Sequence, residues 1–181
     1  MGDSAGALLA VSLMKHIKMP VDAIAVKIPT GKVPKAAILI SPWLNLNPKY
    51  TGSYARNSYS DKITFRLCKI TSEAYQPDRS LRLLPEVSPY DTKEEDWKGV
   101  LPSEMLVVAG ERETMFDDIV SWTLAAKVNP SCLLVEPMGI HDSFTLETRN
   151  LETYKENYSY IQTVAFLRRL LSEARPKPEW L

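Results

Sequence analysis

The chain has 181 residues, a length that suits one domain, and 22 basic residues balance 22 acidic ones. Apolar residues make up 45% and charged residues 24%, ordinary values for a globular protein. Zero formal charge gives no basic field for nucleic acid and no acidic tail for a basic partner. Two cysteines, Cys68 and Cys132, make no disulfide framework or metal spacing, and two histidines argue against a histidine-built metal centre. Both thiols are expected to be buried. No metal and no cofactor are expected. No apolar run reaches membrane-spanning length, and no signal peptide is visible.

The chain opens on Gly2-Asp3-Ser4-Ala5-Gly6, which has the form G-x-S-x-G. In a nucleophile elbow a serine occupies a sharp strand-to-helix turn with its hydroxyl pushed outward. Glycines relieve steric contact at both flanks of so tight a turn. The next residue, Ala5, is placed to aim its backbone N–H at a developing oxyanion. The plainer alternative is a helix start capped by Asp3 or Ser4. Ala5 to about Lys18 reads as a helix, with Leu8, Leu9, Ser12, Leu13 and Ile17 at three- and four-residue steps. His16 near its end reads as a structural or surface histidine, and Met19-Pro20 stops the helix.

Pro29 to Pro34 marks a loop. Ala36–Ile40 is a continuous apolar run, as in a strand covered on both faces of a parallel sheet. Residues 44–96 then change character. Asn45, Asn47, Pro48, Gly52 and Ser53 make loop, and Tyr50, Tyr54, Tyr59, Phe65 and Tyr75 supply large amphipathic side chains. One or two short helices are expected within 62–74. So long an irregular stretch in a compact domain reads as a cap or lid.

Glu104–Gly110 reads as a second buried strand. The acidic loop Glu111–Asp118 follows, then a helix from Ile119 to Lys127. Cys132–Val135 reads as a third buried strand, and Glu136–Phe144 as a loop carrying His141. A last helix spans about 156–174, with Ile161, Val164, Ala165, Leu167, Leu170 and Leu171 inward, and Arg175–Pro178 forms a tail. Alternating strands and helices predict an α/β fold with a mostly parallel sheet. Ser4, an acid after the second strand and His141 after the third then fall at the strand ends where such sheets bind ligands. The chemistry requires each type. A serine hydroxyl needs a base, a neutral imidazole serves near pH 7, and a carboxylate fixes the ring tautomer. Glu111, Glu113, Asp117 and Asp118 all compete for the acid.

Taken together, Gly2–Gly6, Ser41-Pro42-Trp43-Leu44-Asn45-Leu46, the run Leu106–Asp118 and Gly139–Phe144 resemble the hormone-sensitive-lipase-like branch of the α/β-hydrolases. Within it the fungal steryl acetyl hydrolase group is the nearest likeness. That resemblance implies a serine esterase acting on a small apolar ester such as an acetylated sterol, through an acyl-enzyme. It lays the family's D-x-L-x-D-[DE] pattern on Glu113, Met115, Asp117 and Asp118, so Glu113 matches the catalytic acid. The implied triad is Ser4, Glu113 and His141. It also implies an endoplasmic-reticulum location through an amino-terminal anchor, or a cytoplasmic one if the chain as it stands is the product. The family's His-Gly-Gly-Gly oxyanion loop has no match here, and only three residues precede Ser4. The expectation is therefore the carboxy-terminal portion of an α/β-hydrolase fold, with Ala36–Ile40 facing an open edge. An inactive truncated remnant, or a non-enzymatic partner of an intact hydrolase, is the alternative.

Overall fold

A computed structural model describes residues 1–20, 22, 28–29, 33–146, 153 and 155–174. These fall into two compact units, Met1–Ser143 and Phe144–Leu181.

The first unit is built on a parallel sheet of four strands in sequential order: β1 (Gly2–Asp3), β2 (Ala36–Ile40), β3 (Glu104–Gly110) and β4 (Leu133–Glu136). Register pairs Asp3 with Ile40, Ile40 with Val108, and Val108 with Leu134. The strand ends that carry functional turns are thereby set side by side. β2 and β3 are apolar almost throughout because both faces are covered; Leu39 and Val107 are fully buried. The edge of β2 is not wholly open, since Gly2 and Asp3 pair with Leu39 and Ile40.

Helix α1 (Ser4–Lys18) grows directly out of β1. Its buried stripe is Ala7, Leu8, Val11, Met14, Lys15 and Ile17, at three- and four-residue steps. Leu9 and Leu13, which share the three- and four-residue steps noted above, are exposed. The difference has a simple cause. Apolar residues sit on more than one face of this helix, so sequence spacing alone does not select the buried one. Buried Lys15 lies over the Trp97 ring at 5.3 Å and donates to the Asp96 carbonyl at 3.1 Å, tying the helix to residues 94–97.

Residues 41–96 contain α2 (Ser53–Arg56), α3 (Phe65–Tyr75) and short 3-10 turns. Leu44 and Leu46 are fully buried in the core. Tyr50 and Tyr54 pack against Phe65, and Trp43 against Tyr75. Burial pushes the Cys68 thiol up to about 12. Cys132 is only half-buried, because it closes the turn that precedes β4.

Helix α4 (Phe116–Ala125) begins three residues before the expected start at Ile119. Its first turn therefore contains Asp117 and Asp118, which face the positive end of the dipole. It buries Ile119 and Trp122, and the Trp122 ring meets Trp97 edge to face at 5.4 Å. A short helix, α5 (Ser143–Leu146), follows β4.

The second unit's principal element is α6 (Tyr158–Ala174). Its buried positions are Ser159 and Thr163, whereas Ile161, Leu167 and Leu171 are exposed, so the inward stripe read above is corrected. The expected tail from Arg175 lies outside the described residues. Among the described residues no helix is long and apolar enough to cross a membrane.

One buried carboxyl gives this fold a pH signature. Asp118 is 5% exposed, receives the Tyr54 hydroxyl at 2.6 Å, and is pushed up from 3.8 to about 6, chiefly by burial. The native chain therefore holds a proton that the unfolded chain has released between those two values. Stability from this group is greatest below pH 3.8 and falls as pH rises toward 6, by roughly 3 kcal/mol in all. Asp118→Asn, which keeps an acceptor for Tyr54, is expected to remove that component. Urea melts of both proteins from pH 4 to pH 7 measure the difference, which should grow with pH and level off above 6.

Candidate active site

Ser4 sits at the junction of β1 and α1 with φ of 48°, a left-handed conformation unfavourable for a residue with a Cβ. No side-chain hydrogen bond caps α1, so the reading of Asp3 or Ser4 as a helix cap does not hold. The elbow's steric demand falls on one glycine. A Cβ on Gly2 would approach the Gly6 carbonyl oxygen at 2.5 Å, whereas a Cβ on Gly6 would meet nothing closer than 3.8 Å. Gly2 is thus required for the close approach of strand and helix. The turn is fastened to the neighbouring strand end by the Trp43 N–H, which donates to the Ser4 carbonyl at 3.1 Å.

His141 lies in the loop after β4, and its ring is buried. Its Nε2 is 2.9 Å from Ser4 Oγ, and its Nδ1 is 3.3 Å from Glu113 Oε2. Residues 137 positions apart are within hydrogen-bonding distance. With Nδ1 protonated toward the carboxylate, Nε2 is free to accept the serine proton. Glu113 is fully buried in the loop after β3. Burial raises its proton affinity, while the hydrogen bond to His141 and the imidazole's charge draw it back down. Ser41 also draws it down, acting as a nearby dipole; Glu113 Oε1 is buried with no partner at bonding geometry among the described residues.

The other three acids are engaged elsewhere. Glu111 Oε2 accepts the Met138 N–H at 2.9 Å, Asp117 Oδ2 accepts the Ser53 N–H at 2.7 Å, and Asp118 holds Tyr54. Glu113 is the one of the four in contact with the imidazole. The backbones of the loops after β3 and β4, which carry Glu113 and His141, are laced together. Arg112 N–H donates to the Gly139 carbonyl at 2.8 Å, and Glu111 N–H to the Glu136 carbonyl at 3.0 Å.

Sequence reasoning missed several groups. Asp142 Oδ2 is 3.2 Å from His141 Nε2, so the ring has a carboxylate on each side. Burial raises the Asp142 proton affinity; His141 and Lys62 oppose the rise. The Ser41 hydroxyl accepts the Asp142 N–H at 3.0 Å. Asp61 accepts backbone N–H groups from both loops. Ser41, straight after a buried strand, and Asp142, beside His141, both lie in stretches that carry the family resemblance; Asp61 carried no signal. Ser4, Ser41, Met138 and Asp142 are four of the five non-glycine residues with positive φ among those described. Strain of this kind concentrates at functional sites. Two clefts, of about 670 and 1130 Å³, are lined by other residues. It is the side-chain geometry, not cavity size, that marks the site.

Parallel sheet, strained serine turn and converging loops define an α/β-hydrolase. The chain belongs to that family: the sequence profile described as alpha/beta hydrolase fold matches residues 1–144, nearly coincident with the first unit. Among curated proteins it is 30% identical to "Putative steryl acetyl hydrolase mug81" of Schizosaccharomyces pombe, over 96% of this chain and 49% of that protein. Among solved structures it is similar to carboxyl esterase 2 of the mycorrhizal fungus Tuber melanosporum, with TM-score 0.68 and 21% identity over 92% of this chain and 50% of that one. An esterase of the archaeon Pyrobaculum calidifontis gives TM-score 0.70 and 21% identity over 94% and 52%. The chain thus spans about half the length of the relatives it matches.

The contact between the two loops is tight enough to test. A Cβ on Gly110 would stand 2.5 Å from the Gly139 carbonyl oxygen and 2.8 Å from that of Ile140. Gly110→Ala must therefore push the acid loop away from the base loop. It is expected to destabilise the chain by about 1–3 kcal/mol, in the manner of an overpacked core, measured by thermal melting. Ala109, one residue earlier, already carries a side chain, so bulk alone does not account for the expected loss.

Proposed function

We propose that this chain carries the catalytic triad of a serine carboxylic-ester hydrolase, with Ser4 as nucleophile, His141 as general base and then acid, and Glu113 as the orienting acid. The observation that supports this most is the pair of contacts on one imidazole, 2.9 Å to the serine and 3.3 Å to the glutamate. In the reaction His141 Nε2 takes the proton as Ser4 Oγ attacks the ester carbonyl. The tetrahedral intermediate expels the alcohol, which takes the proton from the imidazolium, leaving an acyl-serine. Water, deprotonated by the same imidazole, then releases the acid and restores the serine. Glu113 holds the ring and offsets its charge at each protonated stage. The Ala5 N–H is the proposed oxyanion donor, and one such donor contributes about 3–4 kcal/mol to the barrier.

The proposed substrate is an apolar acetyl ester of the acetylated-sterol type. The name of the fission-yeast relative and the resemblance of the motifs support it. Residues 44–96 are the proposed cap, where Tyr59 is exposed and Tyr50 half-exposed. The motif resemblance supports extending the proposal to sterol deacetylation in lipid metabolism at the endoplasmic reticulum, or in the cytoplasm if the chain as it stands is the product. The alternative reading is an inactive remnant or a non-enzymatic partner of an intact hydrolase.

A fluorophosphonate probe and p-nitrophenyl acetate hydrolysis separate the two readings. The parent is expected to label and to hydrolyse, and Ser4→Ala to do neither. Glu113→Gln should lower kcat on the order of 10⁴-fold, because it favours the wrong tautomer. Equal labelling of Ser4→Ala and the parent would overturn the triad, and a parent inert to both reagents would favour the remnant.

A further inference from the structure

The acid and the base stand on different loops, after β3 and β4, and their contact depends on holding those loops in register. One side chain outside both loops does so. Asp61 is 8% exposed and lies in the turn between α2 and α3. Its Oδ2 accepts the Thr114 N–H at 2.6 Å, and its Oδ1 accepts the His141 N–H at 3.1 Å. Thr114 is the residue after Glu113, and His141 is the base itself. The two oxygens of one carboxylate therefore fix the backbone beside the acid and the backbone of the base, 27 residues apart, at one spacing. A carboxylate is rigid and has two acceptors in one plane, which suits two converging N–H donors.

The same segment grips the acid loop at further points. Asn57 Nδ2 donates to the Glu113 carbonyl at 2.9 Å, and the Ser53 hydroxyl to the Thr114 carbonyl at 2.8 Å. These bonds reach only the acid loop. Asp61 is the member of the segment that reaches the base loop as well. Two neutral N–H groups do not require a buried negative charge for their satisfaction, since a carbonyl or amide oxygen meets that need at lower desolvation cost. The charge has an electrostatic consequence at the site: it raises the proton affinity of Glu113 and of Asp142. A carboxylate with higher proton affinity is the better acceptor for the imidazole N–H.

We infer that Asp61 is a positioning residue, whose carboxylate locks the acid loop and the base loop in the register that brings Glu113 to His141. The inference rests on the triad proposed above for the role of that register in hydrolysis. The register itself is open to measurement without any turnover.

Two readouts on the full chain test it. One is kcat and KM for p-nitrophenyl acetate. The other is the far-downfield proton resonance of the imidazole Nδ1–H shared with Glu113, assigned by its loss in Glu113→Gln. Asp61→Asn has the same shape but presents an amide N–H₂ to one of the two donors. It is expected to lower kcat on the order of 100-fold with KM changed less than about twofold, as a misplacement near 1 Å does. It should weaken or abolish the downfield resonance while circular dichroism shows the fold retained. Arg56→Gln cuts an exposed ion pair between the same segment and Asp117, 2.9 Å long, and should leave both readouts as in the parent. An unchanged kcat and resonance in Asp61→Asn would overturn the inference. So would an equal loss in Arg56→Gln, because any loosening of the segment would then suffice. If the asparagine variant does not fold, Asp61→Ser, which leaves a smaller acceptor, is read by the same two measurements. If the parent hydrolyses nothing, the proposed function fails, and the resonance alone still decides the role of Asp61.

Discussion

A serine with a Cβ held at φ of 48° is the constraint on which the rest of the site depends. Such a residue is expensive to hold, on the order of 1–3 kcal/mol, and persists only where its surroundings fix it. Those surroundings are visible. Two residues of β1 pair with β2, a glycine lets strand and helix touch, and the helix that follows buries one full stripe in the core. Lys15 adds a cationic tie on the buried face of that helix, far along from the turn. The elbow therefore derives its rigidity from the sheet on one side and from α1 on the other. The hydroxyl is left at the strand-end edge, where the loops after β3 and β4 also arrive.

Parallel register makes that arrival systematic. Each strand end is one position along the same edge, so functional side chains come from residues widely separated in sequence and need little from any one loop. The cost is that loops must agree with one another to within fractions of an ångström. Here agreement comes from backbone bonds between the loops after β3 and β4 and from carboxylates with assigned tasks, of which Glu113 and Asp118 are buried. Glu111 holds the base loop, Asp117 holds α2, Asp118 holds Tyr54, and Glu113 alone faces the imidazole. Four acids clustered in eight residues look interchangeable in a sequence. In three dimensions each has a distinct partner, fixed by which way its part of the turn faces.

That difference explains how much of the molecule was legible beforehand. β2 and β3 are continuous apolar runs, and burial on both faces leaves such runs little alternative; the apolar residues of β4, read as a buried strand, are only half-buried. Ser4 and His141 were legible because the elbow spacing and the strand-end position carry meaning by themselves. Glu113 was singled out only by resemblance to a family pattern, since its distinguishing contact is with a residue 28 positions away. Asp61 had no local signature. Asp61 bonds across 53 and 80 residues, and no short spacing encodes that. Helix faces fared worst. Leu9, Leu13, Ile161, Leu167 and Leu171 all fit an amphipathic period, yet all are exposed. Periodicity fixes a helix but does not choose between two faces that are both partly apolar.

The two carboxylates flanking His141 bear on how the proposed chemistry would be tuned. Asp142 Oδ2 and Ser4 Oγ approach the same ring nitrogen, at 3.2 and 2.9 Å. A neutral ring protonated on Nδ1 offers Nε2 a lone pair, which welcomes the serine O–H and repels an ionised carboxylate. Once that nitrogen has taken a proton the preference reverses, and Asp142 becomes an acceptor for the new N–H. Its raised proton affinity, caused first by burial, softens the repulsion in the resting state. The φ of 51° that brings Asp142 there is held by Ser41, a residue that is itself left-handed at 43°. Strain in two adjoining turns thus supports a single carboxylate beside the imidazole. In the proposed hydrolase this arrangement favours the imidazolium formed after attack over the neutral ring that precedes it, which is the direction in which a catalytic base must be assisted.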